Sequence, residues 1–315
     1  MLTLLKLLKD GKFHSGQDLG VALGISRSAV WKQLQLLQAE LNLPIHKVRG
    51  RGYQLAAPLS LLDVTQIQGG YWPVQVLDSV DSTNAEALRR VDDGCQAPFL
   101  LLAERQTAGR GRRGRKWVSP YGENLYYSLV LRIEGGMRQL EGLSLVVGLA
   151  VMRALREMGI PQAGLKWPND VLVERRKLAG ILLELVGDPA DVCHVVVGVG
   201  INVNMQATEE VDQQWTSMRL ESGHMVDRNA LVTLLNARLH EYFDRHRRDG
   251  FAALQGEWEQ SHLWQNRPVT LVAGANQIQG VVLGIDAQGA LRLQVDGQER
   301  VYSGGELSLR LRDDS

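Results

Sequence analysis

Ser15-Gly16-Gln17-Asp18-Leu19-Gly20-Val21-Ala22-Leu23-Gly24-Ile25-Ser26-Arg27-Ser28-Ala29-Val30-Trp31-Lys32-Gln33-Leu34-Gln35-Leu36-Leu37 holds two helix starts with one helix stop between them. Ser15 and Asp18 stand at capping-box spacing and open a short helix that Gly24 ends; Ser26 caps a second helix running to about Ala39. Val30, Leu34, Leu37 and Leu41 recur at steps of four, three and four, so they form one buried stripe. Ser28, Lys32 and Gln35 fall on the opposite face, with Trp31 beside it. The leucine-rich stretch 2–8 supplies a first helix, and the pattern is a helix-turn-helix. Ile45-His46-Lys47-Val48 and Tyr53-Gln54-Leu55 then flank Arg49-Gly50-Arg51-Gly52, a hairpin with two arginines at its tip, which is a wing. Short polar and cationic side chains suit a major groove, so Ser28, Trp31, Lys32, Gln35, Arg49 and Arg51 are the DNA-binding candidates. A small helical bundle with a hairpin also serves for protein docking, and that alternative stays open.

Working outward, residues 1–60 carry eight Lys or Arg against three acids, a net +5, although the 315-residue chain has 35 of each sign. A basic module is carried by an acidic body, which suggests a nucleic-acid contact at one end or a merely solvated face. Pro58 marks a boundary, and domains are expected at 1–60, 65–265 and 267–315. Two cysteines, Cys95 and Cys193, make neither a disulfide scaffold nor a metal cluster. The start lacks a signal-peptide pattern and the apolar run 143–155 is too short to span a bilayer, so a cytoplasmic protein without membrane association is expected.

Within 65–265, Asp81-Ser82-Thr83-Asn84 opens a helix whose free N–H groups and hydroxyls suit a small polar ligand, or simply an N-cap. Between Arg105 and Lys116 lie six cations, three glycines and no acid. Such a segment cannot pack as core: it is a second nucleic-acid patch or a mobile loop closing over a phosphate-bearing ligand. Lys166-Trp167-Pro168-Asn169-Asp170 and Lys177-Leu178-Ala179-Gly180 flank a predicted hairpin, and 195–204 reads as a buried strand ending in Asn202 and Asn204. Surface salt bridging would also explain the hairpin's charges. In the tail, short strands at 269–272, 279–285, 291–295 and 301–302, with glycine-containing turns, form a small all-β unit.

Asp81 to Asn84, Gly109-Arg110-Gly111-Arg112-Arg113-Gly114-Arg115, Lys166 to Asp170, Lys177 to Gly180 and Gly200-Ile201-Asn202-Val203-Asn204 stand in the order of biotin-protein ligases. With the basic winged helix in front, nearly the whole chain resembles the bifunctional bacterial biotin-protein ligase and biotin operon repressor family. The resemblance implies an α+β multidomain fold: an N-terminal winged helix-turn-helix, a central mixed-sheet domain related to class II aminoacyl-tRNA synthetases, and a C-terminal SH3-like β-barrel. It also implies the chemistry. Biotin's carboxylate attacks the α-phosphorus of ATP, giving biotinyl-5′-adenylate and pyrophosphate, and a carrier lysine then takes the biotinyl group and releases AMP.

On that resemblance, Lys177 bridges the reactants, and Arg112, Arg115 and Asp170 join it as catalytic candidates. Biotin falls to Ser82, Thr83, Asn84, Gln106, Gly109, Arg110, Arg112 and Gly180. ATP or the adenylate falls to Arg112, Arg115, Trp117, Lys166, Asn169, Lys177, Asn202, Asn204 and Trp215. Asp170 is the first candidate ligand for Mg²⁺. The implied partners are the biotin carboxyl carrier protein of acetyl-CoA carboxylase, operator DNA, and a second copy of the chain when adenylate is bound. A lipoate or octanoate ligase, and a ligand-sensing transcription factor without ligase activity, are the rival readings.

Overall fold

A computed structural model describes residues 2–134, 139–188, 192–304 and 307–312. The first three helices are α1 (Leu2–Leu8), α2 (Gly16–Leu23) and α3 (Arg27–Leu41), and the last two start and stop where the caps require. Ser15 accepts from the Asp18 amide at 3.0 Å and Ser26 from that of Ala29 at 3.2 Å, and Gly24 takes a left-handed φ of 65°. Val30, Leu34, Leu37 and Leu41 are buried against Leu4, Leu5 and Leu8, as the spacing requires. The wing is the antiparallel pair β1 (Ile45–Val48) and β2 (Gly52–Leu55). Gly52 has φ 105°, and a Cβ there would run into the His14 backbone, so only glycine lets the hairpin lie against the segment before α2.

The central sheet has seven strands: β3 (Val74–Leu77), β4 (Phe99–Ala103), β5 (Leu125–Glu134), β6 (Ala163–Lys166), β7 (Asp170–Val173), β8 (Arg176–Gly187) and β9 (Val192–Ile201), in the order β3-β4-β5-β9-β8-β7-β6. Only β3 and β4 run parallel, so the sheet is mixed. Alternation along β4 and β5 divides the core: Leu100, Leu102, Tyr127 and Leu129 join the large cluster with α5 (Leu143–Glu157) and α7 (Arg228–Asp249). Phe99, Leu101 and Val130 pack instead against Ala87 of α4 (Thr83–Asp92). Two short helices, α6 (Met218–Ser222) and α8 (Gln255–Ser261), complete the α-helical set among the described residues.

The C-terminal unit corrects one expectation. Strands β10 (Pro268–Ala273), β11 (Asn276–Ile285), β12 (Leu291–Val295), β13 (Gln298–Tyr302) and β14 (Leu307–Leu311) form an open antiparallel sheet ordered β13-β12-β11-β10-β14, not a closed SH3-like barrel. β13 and β14, which would have to meet for closure, lie at opposite edges. The physical reason is that the inner face is already covered: Val269, Leu271, Val282, Leu291, Leu293 and Leu309 belong to the same core cluster as Phe251, Leu254 and Trp258. A sheet that buries its apolar face against a neighbour need not curl onto itself. No helix among the described residues is long and apolar enough to cross a membrane.

His262 is buried just after α8, stacked on Trp258 with ring centroids 4.7 Å apart. Burial pushes its imidazole down from 6.5 to about 3. The unfolded chain therefore takes up a proton below about pH 6.5 that the folded chain refuses until about pH 3, so this residue's stabilisation is complete above 6.5 and falls as the pH drops. The expected slope is about 1.4 kcal/mol per pH unit inside that window. Urea denaturation of the parent and His262→Gln between pH 6.5 and 4.5 should show the variant with a shallower dependence. Equal slopes would remove His262 as the source.

Candidate active site

A cavity of about 310 Å³ opens on the α4 face of the central sheet. Its floor is cut by glycines: a Cβ at Gly200 would come within 2.5 Å of the Trp117 ring, and one at Gly180 within 3.1 Å of Trp117 and of Lys177 Cε. The N-terminus of α4 forms one wall. Ser82 is its N-cap, accepting from the Ala85 amide at 3.5 Å, while Asp81 is tied outward to Arg89 at 2.7 and 2.9 Å. Those Arg89 hydrogen bonds hold the Asp81 carboxyl at about 2, so it is a fixed anion that orients the turn. Thr83 faces the cavity, with its amide on Gln106 Oε1 at 2.8 Å.

The opposite wall is the β6–β7–β8 hairpin. Asp170 is paired by Lys177 at 2.7 Å and by Lys166 at 3.3 Å, one carboxylate beneath two ammonium groups. Burial alone would raise the Asp170 carboxyl, but Lys177 and Lys166 hold it below the usual range. Burial pulls Lys166 down, with Asp170 opposing. Two lysines over one aspartate leave a net positive charge facing the cavity. Lys177 also lies 5.4 Å above the Trp117 ring, and its backbone is pinned by the Gln214 carbonyl at 3.0 Å and the Thr216 amide at 2.9 Å. Lys166 sits 5.1 Å above the ring of Trp264, an aromatic that sequence reading did not single out.

The cationic segment forms the roof. Trp117 N donates to the Gly109 carbonyl at 2.9 Å and Gly111 N to that of Arg115 at 2.7 Å, so the loop is a closed ring at its base. A Cβ at Gly109 would meet the Trp117 carbonyl at 2.5 Å, which is why this buried position is glycine, and it stands outside the cavity lining. Arg112 spans the roof, donating to Asn169 Oδ1 at 2.8 Å and to the Leu307 carbonyl of β14 at 3.4 Å. Burial lowers its guanidinium, with Asp170 opposing. Arg110 pairs with Glu184 at 3.1 Å, and Arg115 lines the cavity. The Trp117 indole N–H is a buried donor without a partner among the described residues.

Most of the expected ligand residues therefore converge. Asn202 and Trp215 border a smaller adjoining space with Lys177, where Asn202 Nδ2 donates to the Thr216 carbonyl at 3.0 Å. Asn204 is placed differently: it lies outside both linings, its amide exchanging 2.9 Å hydrogen bonds with the backbone of Val226. Leu307, Ser308 and Leu309 enter the cavity from the C-terminal sheet, a contribution sequence reading missed. Outside the cavity lining, Ser28, Trp31, Lys32, Gln35, Arg49 and Arg51 are all exposed on the winged helix, with the Arg51 guanidinium 4.2 Å from the Phe13 ring.

A winged helix-turn-helix joined to a mixed sheet with a cation-roofed cavity defines a ligand-using enzyme with a DNA-binding module. The chain matches the biotin/lipoate A/B protein ligase family over residues 76–202, a helix-turn-helix domain over 1–54 and the biotin protein ligase C-terminal domain over 266–310. It is 43% identical to the bifunctional ligase/repressor BirA of Escherichia coli, covering 98% of this chain and 97% of that one. Its Bacillus subtilis counterpart is 31% identical over 93% of each chain. Among solved structures, the biotin protein ligase of Aquifex aeolicus in complex with biotin and ATP superposes with a TM-score of 0.68 at 32% identity, covering 76% of this chain and 99% of that one. The chain belongs to the bifunctional biotin-protein ligase/repressor family.

Proposed function

We propose that the chain activates biotin with ATP, transfers it to a lysine of a biotin carboxyl carrier protein, and represses biotin-synthesis genes as an adenylate-bound dimer on operator DNA. The observation that carries the ligase half is the Lys166–Asp170–Lys177 cluster beneath the arginine roof. A carboxylate attacking a triphosphate must overcome like-charge repulsion, and fixed cations offset it best where charge concentrates in the transition state. Lys177, aimed by Asp170, is assigned to the reacting carboxylate and α-phosphate. Arg112 and Arg115 close over the adenylate, Trp117 and Lys166 border the nucleotide, and Ser82, Thr83 and Gln106 take the ureido end of biotin.

Mg²⁺ is the component that the chain's donors fit least. Both Asp170 oxygens are engaged by lysines, and no group of three His, Cys, Asp or Glu capable of holding a metal occurs among the described residues. An ion would enter on the ATP phosphates, and no step is assigned to Asp170 as its ligand. The division at 1–60, 65–265 and 267–315 is retained as the functional one: DNA, chemistry, and a C-terminal edge that reaches the cavity.

Biotin-dependent exchange of pyrophosphate into ATP tests the enzymatic half, with lipoate and octanoate as competitors. Exchange with biotin alone is expected. Exchange only with lipoate or octanoate, or none at all, would overturn it in favour of one of the two rivals. Titration of a biotin-operon operator at fixed salt, with and without biotinyl-adenylate, tests the repressor half: adenylate should tighten both DNA binding and dimerisation. Equal operator affinity in the two states would remove the switch.

A further inference from the structure

Behind the cavity wall a chain of hydrogen bonds ends on a carboxylate. Glu184 on β8 accepts from Asn84 Nδ2 at 2.8 Å, and the Leu182 carbonyl lies 3.2 Å from the same nitrogen. With its amide nitrogen committed to acceptors, Asn84 must present its oxygen to Ser128, whose hydroxyl lies 2.6 Å away. Ser128 Oγ is also 2.8 Å from Thr83 Oγ1. A serine hydroxyl has a single proton, and two oxygens this close attract only with a proton between them. Ser128 therefore gives its proton to Asn84 and receives one from Thr83. The remaining neighbour of the Thr83 hydroxyl, Gln106 Oε1, is farther at 3.1 Å and already accepts the Thr83 amide. Gln106 is held in that orientation because its Nε2 donates to Ser119 Oγ at 3.0 Å, and Ser119 passes its own proton to the Trp117 carbonyl at 2.8 Å.

The direction of every bond follows from acceptor-only groups at the ends, and one consequence reaches the ligand. The Thr83 proton points into the wall, so its oxygen faces the cavity as an acceptor. Ser128 is fully buried and, like Glu184, does not line the cavity; both act through Asn84 and Thr83. Ser128 stands opposite Gly198 in the β5–β9 register, and a Cβ at 198 would collide with the Asn84 amide, so the sheet is cut away for this chain of bonds.

We propose that Ser128 and Glu184 are positioning residues that set the hydrogen-bond polarity of the cavity, so that Thr83 accepts from a ligand N–H and a cyclic urea is selected over an acyl chain lacking one. The inference rests on biotin being the ligand. It differs from that reading in naming residues outside the ligand's reach as part of its specificity.

Titration calorimetry on the full-length parent, Ser128→Ala and Glu184→Ala decides it, with biotin and its two mono-N-methylated ureido analogues as ligands. The parent should bind biotin and discriminate against one analogue; no biotin binding by the parent would overturn the ligand reading itself. In Ser128→Ala biotin should weaken roughly tenfold more than the rejected analogue, the loss of one oriented hydrogen bond, and in Glu184→Ala, where the Leu182 carbonyl still holds Asn84, by a smaller factor, so the selectivity ratio falls in both. The KM for biotin should rise with it, and the adenylation rate at saturating biotin should hold. Glu184 is partly exposed and its variant should fold even if Ser128→Ala does not. Losing the Arg110 partner in Glu184→Ala weakens both ligands alike, so the ratio isolates the polarity. Parallel losses for biotin and analogue, or unchanged biotin affinity, would overturn the proposal.

Discussion

Lys177→Ala is expected to slow biotinyl-adenylate formation about a hundredfold in a single turnover, the loss of about 3 kcal/mol carried by one well-placed cation. Equilibrium biotin binding should stay near that of the parent, because the residues proposed for the ureido end, Thr83 and Gln106, lie on the other side of the cavity. The structure adds a reason for choosing Lys177 over the roof arginines. Its ammonium rests on Asp170 at 2.7 Å and its backbone on two segment-to-segment hydrogen bonds, so it reaches the transition state without being ordered first. Lys166 still pairs with Asp170 in the variant, which keeps the buried carboxylate compensated and the fold intact. Rapid-quench measurement of adenylate is the check. A rate equal to the parent's would take Lys177 out of the reaction, and an equal loss in biotin affinity would make it a ground-state binder instead.

The features that could be read from the residues were local ones. Ser15 and Ser26 cap helices through bonds three residues long, and the α3 stripe repeats within four. The hairpin that brings Lys166, Asp170 and Lys177 together is short enough for spacing to place them. Features that depend on distant partners were not legible. Ser128 sits in an apolar run with nothing nearby to mark it, and its role exists only because β9 supplies Gly198 across the sheet. Asn204 has the composition of a ligand reader, yet its amide closes on Val226, 22 residues away. The expected barrel failed for the same reason: whether β13 meets β14 depends on what covers the sheet, and that cover comes from the central core.

Arg228 is the largest case of such long-range dependence, and Arg228→Met is expected to destabilise the whole chain by about 3–5 kcal/mol, the cost of stranding a buried partner charge. Its guanidinium is fully buried, pairing with Glu104 and donating to the carbonyls of Ser60 at 2.6 Å and Asn124 at 2.8 Å. The other Glu104 oxygen accepts the Leu62 amide at 2.6 Å, so this pair clamps the segment that joins the winged helix to the sheet. The next two residues extend the clamp in both directions. Arg105 donates to the Glu40 carbonyl in the last turn of α3, and Gln106 lines the cavity. Restoring charge balance in Arg228→Met with Glu104→Gln should recover much of the lost stability, because the stranded carboxylate and not the lost packing carries most of the cost. Urea denaturation of parent, single and double variants separates these contributions. The double variant should also loosen the attachment of α3, weakening the dependence of operator affinity on biotinyl-adenylate while leaving adenylation measurable. A single variant as stable as the parent would show that water reaches Glu104 and that the clamp holds nothing. A double variant with undiminished adenylate dependence would place the coupling elsewhere than along Glu104, Arg105 and Gln106.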